Sequence, residues 1–232
     1  TVPKYGLKAF RIAFESAPKL QHLYEPVVLP YNTKMFSSNQ MKDALYPLEL
    51  LPDTVLSGDG VFVLHKDLFN AVASNGQEIT IPTGYQRISL LVGANSEEEI
   101  SFVTVGKEKT EHKTTISSMT DFIGQWDKRL WKKPINHHVN YGRDYVWKNP
   151  YIGLQDGFVN RNRLELYTRH THIDGTDQAY KFGYMFRVDI PIQLDVHMLI
   201  LPRNPNVYIF SGFVSENMII NDATYLGDKY DF

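Results

Sequence analysis

Two histidines two residues apart, His170 and His172, are the first residues of this chain whose type and spacing could do chemistry. On an extended backbone the side chains at i and i+2 share a face, so two imidazoles there can grip one metal ion. A metal site needs at least a third ligand. The nearest carboxylates, Asp174 and Asp177, fall in the turn-forming cluster Asp174-Gly175-Thr176-Asp177, not at the place where a cupin motif would supply its carboxylate. On this reading no metal is assigned, and the histidines are hydrogen-bonded structural groups at a strand end.

Acid–base chemistry has no obvious carrier. Glycoside hydrolysis needs two carboxyls at a set separation, which spacing along the chain does not show, and Glu97-Glu98-Glu99 reads as a solvated turn. No glycine-rich phosphate loop, nucleophile elbow or His-Glu-x-x-His helix occurs, so the residues alone name no catalyst. Sugar sites, in contrast, use tryptophan or tyrosine faces for the apolar side of the ring, with Asp, Asn or Arg beside them for the hydroxyls. Trp126, Asp127, Arg129 and Trp131 suit that role, with Arg169, His170 and Tyr184 added from the histidine region.

The element that must position these residues is the stretch from Gly157 to Pro191. From Phe182 the pattern alternates strictly: Phe182, Tyr184, Phe186, Val188 and Ile190 on one side, Lys181, Gly183, Met185, Arg187 and Asp189 on the other. This period of two predicts a strand with one buried face. Leu164, Leu166 and Thr168 alternate upstream, so the unit reads as two antiparallel strands joined near Asp174-Gly175. Further strands are predicted over 60–64, 78–82, 86–92, 99–105, 114–117, 194–201 and 206–214, and a helical turn over 67–73. Short strands punctuated by turns predict an all-β fold, an antiparallel β-sandwich of jelly-roll or galactose-binding-like type. The proline-punctuated residues 1–40 read as a connector carrying the last strand of an upstream β-domain, with Phe36 to Gln40 as loop, and 41–232 as the sandwich.

Composition agrees with a folded domain: 232 residues, 43% hydrophobic and 22% charged, with 14 tyrosines and 13 phenylalanines. A formal net charge of −2 gives no reason to expect nucleic acid, which calls for a basic face. The basic cluster Lys128, Arg129, Lys132 and Lys133 around Trp126 and Trp131 reads as a solvated rim with cation–π packing. Without cysteine, neither disulfides nor thiolate metal sites can form, which fits cytoplasm or periplasm alike. No apolar run reaches the ~18–20 residues that span a bilayer. The start at Thr1, without an initiator Met, is read as that of a C-terminal piece of something longer.

The blocks Phe122-Ile123-Gly124-Gln125-Trp126-Asp127-Lys128-Arg129-Leu130-Trp131, Tyr151-Ile152-Gly153-Leu154 with Gly157-Phe158-Val159, Arg169-His170-Thr171, the strand from Ala179 to Pro191, and Leu199-Ile200-Leu201-Pro202 together resemble the C-terminal region of bacterial α-mannosidases of glycoside hydrolase family 38. Tyr5 to Ile12 resembles the strand that closes that family's large β-domain, and Tyr46 to Pro52 the segment that opens its appended domain. Thr168 stands where the resemblance leads one to expect a histidine. The resemblance implies that zinc, nucleophile and general acid belong to an N-terminal catalytic domain absent here, so that this segment carries no catalytic residue and no cofactor. It implies an upstream catalytic domain and a mannose-containing glycan as partners, and a periplasmic or extracellular setting. An independent carbohydrate-binding module and a cupin-like metal-dependent enzyme are the other classes considered.

Overall fold

The alternating run that begins at Phe182 lies on the longest strand of the computed structural model, which describes residues 24–37, 46–57, 59–120, 123–125, 128–132, 151–155, 158–159, 162–173 and 176–216. In chain order the strands are β1 (Tyr24–Pro26), β2 (Phe36–Ser37), β3 (Tyr46–Pro47), β4 (Thr54–Ser57), β5 (Gly60–Val63), β6 (Val72–Ala73), β7 (Glu78–Thr80), β8 (Arg87–Ala94) and β9 (Glu98–Val105). They continue with β10 (Lys109–Ile116), β11 (Gly124–Gln125), β12 (Lys128–Trp131), β13 (Tyr151–Gln155), β14 (Phe158–Val159), β15 (Arg163–Ile173), β16 (Thr176–Pro191), β17 (Met198–Ile200) and β18 (Val207–Ser215). A 3-10 turn, Leu48–Leu50, follows β3. Among the described residues there is no α-helix. The expected all-β antiparallel sandwich is therefore what the chain forms.

Two sheets make the sandwich. The larger runs β1-β18-β8-β16-β15, with β6 also on β18, and the smaller runs β10-β9-β17-β7. Between them lies one core, in which Ile88, Leu90 and Val92 of β8 and Phe186, Val188 and Ile190 of β16 meet Ile79, Ile100, Phe102, Ile116 and Leu199 of the smaller sheet. The smaller sheet is apolar on that side only, so β9 alternates as the sequence predicts.

The larger sheet departs from expectation. Every residue of β8 is buried, and so are Gly183, Met185 and Arg187 on the face of β16 opposite the alternating aromatics. A second core covers that face: Phe36, Tyr46, Leu51, Val55 and Phe62 pack on Leu91, Met185, Phe210 and Phe213. A bulge in β18 between Ile209 and Ser211 inverts the alternation, so that Phe210 and Phe213, three residues apart, both face the second core while Ile209 and Val214 face the first, as an extra residue in one strand does. The expectation of a single buried face is thus corrected, because β2 to β5 fold back over the sheet.

That covering layer also moves the expected domain boundary. Tyr24–Pro26 pairs with β18, Val27 and Leu29 enter the first core, and β2 pairs in parallel with β3, so residues 24–37 are part of the sandwich and not of a connector. The expected helical turn over 67–73 is absent. Asn70 accepts hydrogen bonds from the Met35 and Phe36 amides at 2.7 and 3.0 Å and donates to the Phe36 carbonyl at 3.2 Å, which draws this segment into extended pairing with residues 33–36 in place of i→i−4 bonds. The Tyr5 to Ile12 segment, expected as the last strand of an upstream domain, and the tail beyond 216 lie outside the described residues.

The second core holds charge as well. Arg87 and Arg187, with side chains 1% and 2% exposed, meet Asp59 and Asp189. Arg187 Nε donates to Asp189 Oδ1 at 2.8 Å and Nη2 to Asp59 Oδ1 at 3.1 Å. Arg87 pairs with Asp59 and lies 3.6 Å from Asp189. Ser57 and Ser89 accept from the remaining Arg187 donors. Two cations against two carboxylates leave the group neutral, and it pins the β4–β5 turn onto the sheet. Desolvation pulls the Arg87 guanidinium below its ordinary value, with Asp189 opposing.

Candidate functional site

β15 and β16 form a hairpin in which Tyr167 lies opposite Tyr184, Thr168 opposite Gly183, and Ile173 opposite Thr176. The register shifts between Thr168 and His170, where the Thr168 hydroxyl donates to the His170 carbonyl at 3.0 Å. Beneath this irregularity sits Tyr46. Its ring is fully buried against Phe36 and Phe210, and its hydroxyl donates to the Tyr184 carbonyl at 2.6 Å. Burial pushes the Tyr46 phenol well above its usual range. Gly183 allows the approach: a Cβ there would lie 2.8 Å from Thr168 Oγ1 and 2.9 Å from the Tyr46 ring. Gly183→Ala is therefore expected to cost about 1–3 kcal/mol, as overpacking does. Thermal unfolding checks this, and an unchanged melting temperature would mean that the hairpin is not seated on Tyr46.

The face seated toward Tyr46 also carries the two histidines. Their rings lie 5.3 Å apart. The 3-10 turn that follows Tyr46 and Pro47 brings Glu49 to them: Glu49 Oε1 is 3.5 Å from His170 Nε2 and 3.3 Å from His172 Nε2. Asp177 Oδ1 is 2.9 Å from His172 Nε2. The expected position of Asp177 in the turn is corrected here, since β16 begins at Thr176 and Asp177 lies on it opposite His172. His172 has a side chain 0% exposed, and its Nδ1 is 3.1 Å from the Ser37 carbonyl. A carbonyl only accepts, so Nδ1 carries the proton and Nε2 faces the carboxylates. Neither Nε2 is aligned for a hydrogen bond.

Glu49 is the residue that sequence reasoning missed. It reaches the pair from 121 positions before His170 through the β2–β3 layer, and no local spacing announces it. The one signal was the segment Tyr46 to Pro52, singled out for another reason.

The opposite face of the hairpin carries aromatics. From the buried Phe186 outward, Tyr184, Phe182 and Tyr167 follow one another at ring separations of 6.2 Å. Phe182 and Tyr184 are nearly parallel, at 9°. Phe182 is 37% and Tyr167 52% exposed, and Arg169 is exposed two residues beyond Tyr167. The structure thus places three of the seven expected sugar-contact residues, Arg169, His170 and Tyr184, on one hairpin, with His170 turned to the histidine face. Trp126 and Asp127 lie outside the described residues. Arg129 and Trp131 fall on β12, opposite Leu154 and Tyr151 of β13; their side chains are outside the description.

A cleft of about 530 Å3 opens elsewhere, between the β9–β10 turn and the loop after β16, lined by Lys107, Glu108, His112 and Asp195. Its groups are engaged with one another: the Lys107 amide donates to Asp195 at 2.6 Å, which holds the Asp195 carboxyl below its usual range, and Thr104 Oγ1 lies 2.9 Å from His112 Nε2. Desolvation lowers the His112 imidazole from its ordinary value.

Among known proteins, no curated sequence matches the chain. A family match extends over residues 22–218, from just before β1 to just beyond β18, and its description is an AziU2-like beta-sandwich domain. Its limits coincide with the two paired strands that bound the sandwich, and on that match the chain belongs to the AziU2-like beta-sandwich domain family.

Proposed function

We propose that this sandwich is a non-catalytic module of a glycan-processing protein, holding a mannose-containing glycan along the aromatic strip of the β15–β16 hairpin. The observation that carries the reading is the strip itself: nearly parallel Phe182 and Tyr184, extended by exposed Tyr167 and followed by Arg169. Flat rings offer an apolar surface to the carbon-bound face of a sugar, and a guanidinium beside them suits its hydroxyls. Binding mannose in particular rests on the blocks that resemble family 38 α-mannosidases.

The same resemblance supports a second duty, packing against an upstream catalytic domain in the same polypeptide. Ile152 and Leu154 share one side of β13 and are 62% and 52% exposed. Interdomain contacts cover apolar surface of this kind.

Calorimetric titration of the chain with mannobiose and larger mannosides tests the reading. Binding should be measurable and should fall by about tenfold or more in Tyr167→Ala and in Phe182→Ala, each with an unchanged circular dichroism spectrum, since one aromatic contact is worth about 0.5–1.5 kcal/mol beyond its buried area. Flat titrations would remove glycan binding and leave interdomain packing. Binding that persists in both variants would move the site to the Trp126–Trp131 segment.

A further inference from the structure

We propose that Glu49, His170 and His172 form a site for a divalent transition-metal ion, zinc by preference, that clips the β15–β16 hairpin to the 3-10 turn after β3. The donor atoms of Glu49, His170 and His172 all lie within 4.8 Å of one another. Metal–nitrogen and metal–oxygen bonds of about 2.0–2.2 Å around a tetrahedral ion put neighbouring donors about 3.3–3.6 Å apart. The Glu49 separations of 3.5 and 3.3 Å from the two Nε2 atoms match that edge.

The chemistry of His172 asks for a cation. With its Nδ1 proton given to Ser37, the buried ring turns a bare lone pair toward Glu49 and Asp177, an arrangement that repels unless something positive lies between them. A proton on Nε2 would need one carboxylate in line, and neither Nε2 is so aligned. An ion placed among Glu49, His170 and His172 satisfies those three donors together. The hydrogen bond to Ser37 is the outer contact that fixes the tautomer and orientation of a metal-bound histidine. Two imidazoles with carboxylates select a transition metal over magnesium or calcium, which prefer oxygen alone. Three protein donors leave the fourth tetrahedral position open, and Asp177, 2.9 Å from His172 Nε2, stands closer to that nitrogen than a neighbouring ligand would.

The proposal does not rest on glycan binding and is tested without it. The chain is stripped with a chelator, dialysed, and titrated with zinc chloride, with magnesium chloride as control; bound metal is read by elemental analysis and stability by thermal unfolding. About one zinc per chain is expected, with a rise in melting temperature of about 5–10 °C at free zinc about 100 times Kd and no response to magnesium. Glu49→Gln and His170→Ala, both at partly exposed positions, should each weaken zinc binding at least about tenfold while the spectrum of the folded protein is kept. Folded wild-type protein that retains no zinc, or zinc binding indifferent to both substitutions, overturns the proposal.

Discussion

Arg187→Ala should lower stability by about 3–5 kcal/mol, the cost of stranding a buried charge after its partner is removed. Arg187 is the hub of the ionic group: its guanidinium engages Asp189, Asp59, Ser57 and Ser89. Removing it leaves two carboxylates, 8% and 16% exposed, facing Arg87 and the neutral hydroxyls of Ser89 and Ser215. Against a total stability of about 5–15 kcal/mol, the loss should bring the melting temperature down by about 10 °C. Urea unfolding gives the free energy directly, and a change below about 1 kcal/mol would mean that water reaches the group. Replacing all four charged residues together by apolar ones of similar volume should cost much less, because burying charge is itself expensive and the pairs recover that cost only in part.

Phe213→Ala should be as damaging, at about 3–5 kcal/mol, though for a different reason. The ring touches Tyr24 edge-on at 5.7 Å and Phe62 at 4.9 Å, so it joins the edge strand β1 and the covering strand β5 to the large sheet. It also approaches Gly60 too closely for any side chain there. Its ring lies 5.4 Å from the Arg187 guanidinium carbon. The two losses should therefore not add: a double-mutant cycle with Arg187→Ala should return a coupling of about 0.5–3 kcal/mol, the range for residues in contact. Additivity within about 0.3 kcal/mol would separate the ionic group from the aromatic packing.

The two cores differ in how far the sequence announced them. The first was legible, because Phe186, Val188 and Ile190 alternate with polar neighbours and β9 repeats the pattern, and period two is set by the pleat itself. The second was not. Gly183, Met185 and Arg187 look like part of a wet face until one knows that Phe36, Tyr46, Leu51, Val55 and Phe62 cover it, and that return is long-range packing that no local periodicity encodes. The same gap hid half of the histidine cluster. His170 and His172 were visible as a strand pair, but Glu49 arrives through the covering layer, and Asp177, assigned to a turn, lies on β16 opposite His172. Tyr184 was singled out as a sugar contact, whereas its neighbours Phe182 and Tyr167 were read only as members of a strand, since exposure is decided by where the smaller sheet stops.

The pairing of Tyr24 with Ser215 also governs how the protein acquires its structure. The first and last strands of the sandwich are neighbours, and β18 lies between β1 and β8 in the large sheet. Folding that depends on contacts so distant in sequence is slow, on the order of milliseconds to seconds for all-β domains. During synthesis the run Ile88-Ser89-Leu90-Leu91-Val92 is made more than a hundred residues before β18 can cover its flank. Until residue 215 has emerged, the most apolar strand of the protein has an open edge, and the nascent chain is at that stage most exposed to association with its own copies.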